Sequence, residues 1–306
     1  MIKRILPVLL CFFLWLPAAK ADTLYTVGQG VDFGYRFMDA DRYNSNRIHL
    51  DGNHRLGAHG FSYNFSHNWG TESLTSIGAA YSYKKGVHWV GGGISSSSDE
   101  PFTQFNLVDF DAFYAFRVFQ RVVRYTDAAD GDRIPHYNNL YLGVEWSTDR
   151  ILLDGYPLPV IRYEYDGPKF YLILGFPMTY LKIYTGRYQN LELKYVPVMN
   201  TLLSYNYGFD ADNTLSLQFE IDHKQYRMSG GDKHKYFHSQ TKYYTEFYWL
   251  RLKYKADLPG DAAALSPYAA LLLDGKRYYG KNFNDYQAER STGFGFALGL
   301  NLSVKF

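Results

Sequence analysis

The last stretch of the chain, Gly293-Phe294-Gly295-Phe296-Ala297-Leu298-Gly299-Leu300-Asn301-Leu302-Ser303-Val304-Lys305-Phe306, alternates at every position. Its even positions are Phe, Phe, Leu, Leu, Leu, Val and Phe, and its odd positions are Gly, Ala, Asn, Ser or Lys. A period of two puts one wholly apolar face and one small or polar face on a β-strand. Strands of soluble sandwiches carry this pattern over about 5 or 6 residues. A tilted strand that crosses a bilayer needs about 9–11. The length of the alternation therefore favours a membrane strand.

The same alternation recurs upstream. Val31, Phe33, Tyr35 and Phe37 interleave with Asp32, Gly34 and Arg36; Ile77, Ala79, Tyr81 and Tyr83 with Gly78, Ala80 and Ser82. Phe110, Ala112, Tyr114 and Phe116 face away from Asp109, Asp111, Ala115 and Arg117, with Phe113 as an exception. Leu140, Leu142, Val144 and Trp146 oppose Tyr141, Gly143, Glu145 and Ser147. Leu215, Leu217, Phe219 and Ile221 oppose Ser216, Gln218, Glu220 and Asp222, and Tyr248, Leu250, Leu252 and Tyr254 oppose Trp249, Arg251, Lys253 and Lys255. Turn chemistry at Asp166-Gly167-Pro168, Asp210-Ala211-Asp212-Asn213 and Asp257-Leu258-Pro259-Gly260-Asp261 separates the runs. No amphipathic helical period of useful length follows the N-terminal segment.

That N-terminal segment reads as an export leader. Lys3 and Arg4 precede the uncharged run Ile5–Leu16, Pro17 breaks it, and Ala19-Lys20-Ala21 supplies small residues for cleavage after Ala21. The organisation expected is thus a leader over 1–21 and one domain over 22–306. Cleavage removes Lys3, Arg4 and Lys20 and no acid, which takes the formal charge from +2 to −1. It also removes Cys11, the one cysteine of the chain, and with it any disulfide or thiolate chemistry. A mean hydropathy of −0.32 excludes a bundle of transmembrane helices, and a near-neutral chain without a Lys/Arg block offers no footprint for nucleic acid. The 30 tyrosines read as lipid-facing and interfacial side chains, among them Tyr35, Tyr81, Tyr83, Tyr114, Tyr248 and Tyr254.

Within a bilayer every backbone N–H and C=O must be satisfied, so a spanning sheet has to close. The fold class expected is all-β, a closed antiparallel transmembrane β-barrel of about 14 strands, with 12 as the alternative. Arg47–Phe65 and Thr179–Tyr184 do not parse cleanly into strands, and Gly92–Gln104, Tyr125–Tyr137, His223–Gln240 and Gly275–Ser291 read as surface loops. The candidate lumen-facing residues are Asp109, Asp111, Arg117, Glu145, Arg162, Glu164, Glu220, Asp222, Arg251 and Lys253, because charges of both signs are hydrated or paired in a lumen and costly in lipid.

With its leader, alternating strands and aromatic C-terminus, the chain resembles Gram-negative outer-membrane β-barrel proteins. The resemblance implies insertion in the outer membrane, contact with lipid and lipopolysaccharide, and recognition of Val304 and Phe306 by the barrel-assembly machinery. Asn301 stands where that signal often has Gly. Pro157-Leu158-Pro159, the strand Val160–Tyr165, Asp166-Gly167 and Leu174-Gly175-Phe176-Pro177 resemble a narrower group of bacterial barrels of uncharacterised function.

No catalytic constellation emerges from the sequence. Barrel hydrolases of the lipid-cleaving kind use a wall Ser with His two residues before it, whereas His238-Ser239 are adjacent and on a strand would point to opposite faces. Omptin-like proteases use Asp-x-Asp and Asp-x-His; Asp109/Asp111 and Asp232/His234 have those spacings without a reason to meet. The nine histidines are scattered, and Asp39-Ala40-Asp41 lacks the Gly and distal Glu of a calcium loop. The expectation is a non-enzyme without metal or cofactor, a passive porin-like channel for small solutes. A structural or surface-interaction barrel with a plugged lumen is the alternative, and a barrel-embedded hydrolase a more distant one.

Overall fold

The computed structural model describes residues 29–126, 133–148, 155–176, 178–196, 200–230, 241–260, 262–281 and 285–305. Apart from a single 3-10 turn at Phe105–Leu107, its regular structure is strand. In chain order these are β1 (Gly30–Ala40), β2 (Tyr43–Leu56), β3 (His59–Gly70), β4 (Leu74–Lys85), β5 (His88–Ser98), β6 (Asp109–Thr126), β7 (Arg133–Ser147), β8 (Leu158–Asp166) and β9 (Phe170–Phe176). They continue with β10 (Thr179–Gly186), β11 (Gln189–Val196), β12 (Asn200–Gly208), β13 (Asn213–Arg227), β14 (Lys242–Asp257), β15 (Ala263–Gly280), β16 (Gln287–Ser291) and β17 (Gly295–Lys305).

From β1 to β16 each strand pairs antiparallel with the next, β17 pairs with β15, and β1 closes the sheet by pairing with β2 on one side and β17 on the other. The closing seam is continuous from Gly30↔Lys305 to Ala40↔Gly295. β16 and β17 both lie along β15, so they are two lengths of one stave. The ring therefore has 16 strands among the described residues rather than about 14 or 12. The difference comes from the stretches that parse poorly. Arg47–Phe65 holds most of β2 and the start of β3, and Thr179–Tyr184 lies within β10. β2 carries Asn44, Asn46 and His54 on the same face as Ile48 and Leu50, so both of its faces read as polar.

Burial follows the alternation. Phe33, Tyr35 and Phe37 are exposed on β1, while Gly34, Arg36 and Met38 between them are buried. Exposed apolar side chains continue round the ring: Phe61, Ile77, Ile94, Tyr114, Val144, Ile161, Leu174, Ile183, Leu191, Leu203, Leu217, Leu252, Leu271 and Leu300 come from successive strands. In water such a belt would be a large exposed apolar surface; in lipid it is the outer wall. No helix among the described residues is long and apolar enough to cross a membrane.

The start of β1 and the end of β17 lie at one end of the barrel, where most of the described turns are tight, such as Gly57-Ala58, Gly86-Val87 and Arg187-Tyr188. Longer connections, including 99–108, lie at the other end. In outer-membrane barrels short turns are periplasmic and longer loops extracellular. At the β12–β13 turn Asp210 accepts the backbone N–H groups of Asp212 (2.9 Å) and Asn213 (2.7 Å) and the side-chain amide of Asn213. The Asn213 amide first, then the two backbone N–H groups, hold its carboxyl below the ordinary range.

Several of the expected loops are strand in part. β5 runs to Ser98, β6 to Thr126 with β7 resuming at Arg133, β13 to Arg227 and β15 to Gly280. Beyond the lipid belt outward positions need not be apolar, so the alternation fades while backbone pairing continues. Of the tyrosines, Tyr35, Tyr81, Tyr114 and Tyr254 are exposed on the outer wall, but Tyr43, Tyr141, Tyr226 and Tyr243 are buried. Their rings fill space inside the ring of strands or at its mouth, so lipid contact accounts for only part of the tyrosine excess.

Because Leu300 lies midway along β17 on the outer face, Leu300→Arg is expected to destabilise the inserted barrel by about 2–4 kcal/mol. Ser62→Arg on the inner face of β3 is expected to cost far less. Urea unfolding of the two variants in lipid vesicles measures the difference.

Candidate functional site: the barrel lumen

Register determines which residues face inward. Asp32, Gly34, Arg36 and Met38 of β1 stand opposite Asp51, His49, Arg47 and Ser45 of β2. Gly34 is small because His49 and Asn301 lie across it; a Cβ there would come within 2.1 Å of the His49 ring. On β13 and β14, Ser216, Gln218, Glu220 and Asp222 face inward with Lys253, Arg251, Trp249 and Phe247.

Ion pairs tie much of this wall. Arg251 Nη2 lies 2.7 Å from Glu220, and Lys224 Nζ lies 3.0 Å from Asp222. Farther round, the Arg162 guanidinium grips Glu164 through Nη2 at 2.6 Å and Nε at 2.8 Å, and Lys182 meets Glu192 at 3.0 Å. An amide and hydroxyl chain links Asn190, Asn206, Ser204 and Gln218 along β11–β13. Arginines also lie over inward rings: Arg36 over Trp249 at 5.3 Å and Arg251 over Tyr268 at 4.9 Å. Packing is uneven. Around β1, β14, β15 and β17 an apolar cluster of Met38, Tyr43, Phe247, Trp249, Ala270, Leu272 and Ala297 fills the interior. Elsewhere inward side chains meet solvent: Asp32, Asp51, Tyr184 and Lys194 are exposed.

At the loop end β13, β14 and β15 extend past the belt as an arm. The β14–β15 register slips between Tyr248 and Trp249, and such a bulge bends a strand. The tip of the arm reaches the far wall, where Arg227 pairs in register with Ser98 of β5. Arg227 Nη2 meets the Asp109 carboxylate at 2.5 Å with both side chains almost wholly buried, at 2% and 3% exposure. The same guanidinium donates to the carbonyls of Asn106 (2.9 Å) and Thr148. Two more contacts cross the mouth: Ser229 bonds to Asp99, and Glu72 takes Arg277 (2.6 Å) and the Tyr243 hydroxyl. Tyr226, Tyr243 and Leu74 pack beneath. The arm is latched across the opening.

The structure separates the residues singled out from sequence into groups. Asp109 belongs to the latch. Asp111, Arg117 and Glu145 stand on the inner faces of β6 and β7, where Phe113, also inward, meets Trp89 edge-on at 4.5 Å. Arg162 and Glu164 form one pair, Glu220 and Arg251 another, Asp222 is held by Lys224, and Lys253 follows Arg251 on β14. Val304 stands on β17 opposite Val31, with Ala263 on its other side. Phe306, the expected leader over 1–21, and Asp232, His234, His238 and Ser239 lie outside the described residues. His54, His59 and His88 each share a hydrogen bond with an outward tyrosine hydroxyl. No group of three or more His, Cys, Asp or Glu able to hold a metal occurs among the described residues. Sequence reasoning missed Arg227, Glu72 and Arg47, and placed Trp249 on the polar face of its strand without a role: Arg227 lies where alternation has ended, and the others have neighbours that only register reveals.

A closed antiparallel ring, apolar outside and charged within, is an integral outer-membrane β-barrel of the Gram-negative type. No family model and no curated protein matches the sequence. Among solved structures, a NanC porin is 11% identical with a TM-score of 0.34 over 90% of this chain and 100% of that one. A KdgM porin in complex with disordered oligogalacturonate is 11% identical, TM-score 0.30, over 90% and 99%. A bacterial polysaccharide outer membrane secretin is 6% identical, TM-score 0.36, over 91% and 98%. At such low scores the barrel assignment rests on this chain's own strand pairing.

Removing one partner of a buried ion pair strands the other charge, at about 3–5 kcal/mol. Arg227→Met is expected to free the arm and expose it to added protease in intact cells. Adding Asp109→Leu is expected to recover part of the loss, so proteolysis rates of the single and double variants measure the coupling.

Proposed function

We propose that this barrel is a passive channel for small hydrophilic solutes, narrowed at its outer mouth by the latched arm. The observation that carries the reading is the sixteen-strand ring with exposed, charged inward residues. Barrels of 16–18 strands have circumference enough for an aqueous channel, and wet walls bearing both signs of charge suit polar cargo. Asp111, Arg117, Glu145, Arg162, Glu164, Glu220, Asp222, Arg251 and Lys253 would line the path, with Asp109 holding the arm. Cleavage after Ala21 and recognition of Val304 and Phe306 by the barrel-assembly machinery belong to the same proposal. So do contact with lipopolysaccharide and the absence of catalysis.

A second reading, a structural or surface-interaction barrel with a plugged lumen, is favoured by the Arg227–Asp109 latch and by the apolar cluster around Trp249. Planar-bilayer recordings of the refolded protein separate the two. The channel reading expects discrete conducting steps in the native protein, larger in the Arg227→Met/Asp109→Leu variant. Silence in both, with the barrel shown to be folded, would refute it.

A further inference from the structure

The inner faces of β1 and β2 carry an unusual pairing. Arg36 stands directly opposite Arg47, and four residues along each strand, past Gly34 and His49, stands a second like-charge pair, Asp32 and Asp51. Directly opposed side chains on antiparallel strands have Cβ atoms about 4.5–5.5 Å apart, and like charges there destabilise a sheet. Nothing in the barrel's closure requires two guanidiniums at these positions. Neighbouring strands show how the wall neutralises charge elsewhere, with Glu220 on Arg251 and Asp222 on Lys224. Asp222 is near enough to act electrostatically on both Arg36 and Arg47, but its hydrogen-bonded partner is Lys224.

Arg36 itself is 8% exposed. Its guanidinium lies over Trp249, which leaves the in-plane N–H groups to find acceptors at the edge of the ring. The Nε atoms of Arg36 and Arg47 are both shielded from solvent and neither has a hydrogen-bond acceptor. Buried N–H groups of charged side chains are ordinarily bonded, and each one left out costs free energy. Nε and an adjacent Nη form the side-on edge with which arginine takes an oxyanion in two parallel bonds. On the termini side Asp32 and Asp51 are exposed, and Arg47, unlike Arg36, is only half-buried.

We infer that Arg36 and Arg47 form an oxyanion-binding site on the inner wall, taking a carboxylate or phosphate group of a solute in the lumen. The inference rests on the channel reading for how the solute arrives, but binding is measurable without conduction. The site holds charge where the cost of like-charge apposition is offset by the ligand. Lys224 and Arg251 stand nearby with their own carboxylates, Asp222 and Glu220, so the charge that the ligand offsets is that of the two opposed guanidiniums. Trp249, beneath Arg36, would report occupancy.

The test is isothermal titration of the refolded full chain in detergent with inorganic phosphate and, separately, citrate, in buffers of matched ionic strength set with chloride. Saturable binding of at least one of them is expected, with phosphate alone or citrate alone identifying the preferred headgroup. Arg36→Gln/Arg47→Gln is expected to weaken it about tenfold or more, and Arg187→Gln in the β10–β11 turn to leave it unchanged. Should the double variant fail to fold, Arg47→Lys keeps the charge and removes the fork, and is expected to weaken binding in a folded barrel. No saturable heat from either anion with folded native protein, or equal binding by native and double-variant barrels, overturns the inference. Silence in bilayers together with saturable binding would refute the channel and leave the site standing.

Discussion

The structure depends on one seam, the pairing of β1 with β17. An open sheet in hydrocarbon would leave a row of backbone N–H and C=O groups without partners, at several kcal/mol for each. Closing the ring removes both edges at once, and the first and last strands of the chain do so over the full length from Gly30 to Ala40. A consequence is that the outer wall need only be apolar and the inner wall need only be soluble. Phe33, Tyr35 and Phe37 can therefore stand beside Asp32 and Arg36 on one strand without conflict.

Closure also frees the interior from the demands of a hydrophobic core. A soluble barrel of this size would need apolar filling throughout. Here two sectors are filled, around Trp249 and Phe247 and around Trp89 and Tyr141, and much of the remaining wall is polar, with several of its charges in pairs. The pairs are local: Arg162 with Glu164 on one strand, Glu220 with Arg251 on neighbours. The latch is different in kind, because Arg227 and Asp109 come from opposite sides of the ring. A buried bridge of this sort contributes little net stability compared with an apolar pair, yet it is costly to break on one side only. It fixes the position of the arm rather than the stability of the barrel.

Much of this was legible in the sequence, and the limits have physical causes. The alternation of Phe294–Phe306 and of β13 and β14 identified a membrane barrel because lipid demands an unbroken apolar face. β2 and β10 were obscure for the complementary reason. β2 combines Asn44, Asn46 and His54 with only Ile48 and Leu50 outside, and β10 is short, with Tyr180 and Tyr184 inward and Leu181 and Ile183 outward at almost equal apolarity. Asp109 and Asp222 were placed on polar faces, but their partners were not, since contacts between distant strands leave no periodic trace. Arg227 lies beyond the last apolar outward residue of β13, where the pattern no longer distinguishes strand from loop. The opposition of Arg36 and Arg47 depends on the register of one hairpin, which the length of the Asp41-Arg42 turn sets and composition does not reveal.

The central claim is that the two faces of each strand meet two different solvents. The one cysteine of the chain is Cys11, so single-cysteine variants along β17 from Gly295 to Val304 in a Cys11→Ser background give an unambiguous readout. With each labelled by a fluorophore in vesicles, quenching by brominated lipid at Phe296, Leu298, Leu300 and Leu302, and by aqueous iodide at Asn301 and Ser303, is the result expected. Quenching by one agent at every position, without a period of two, would contradict it.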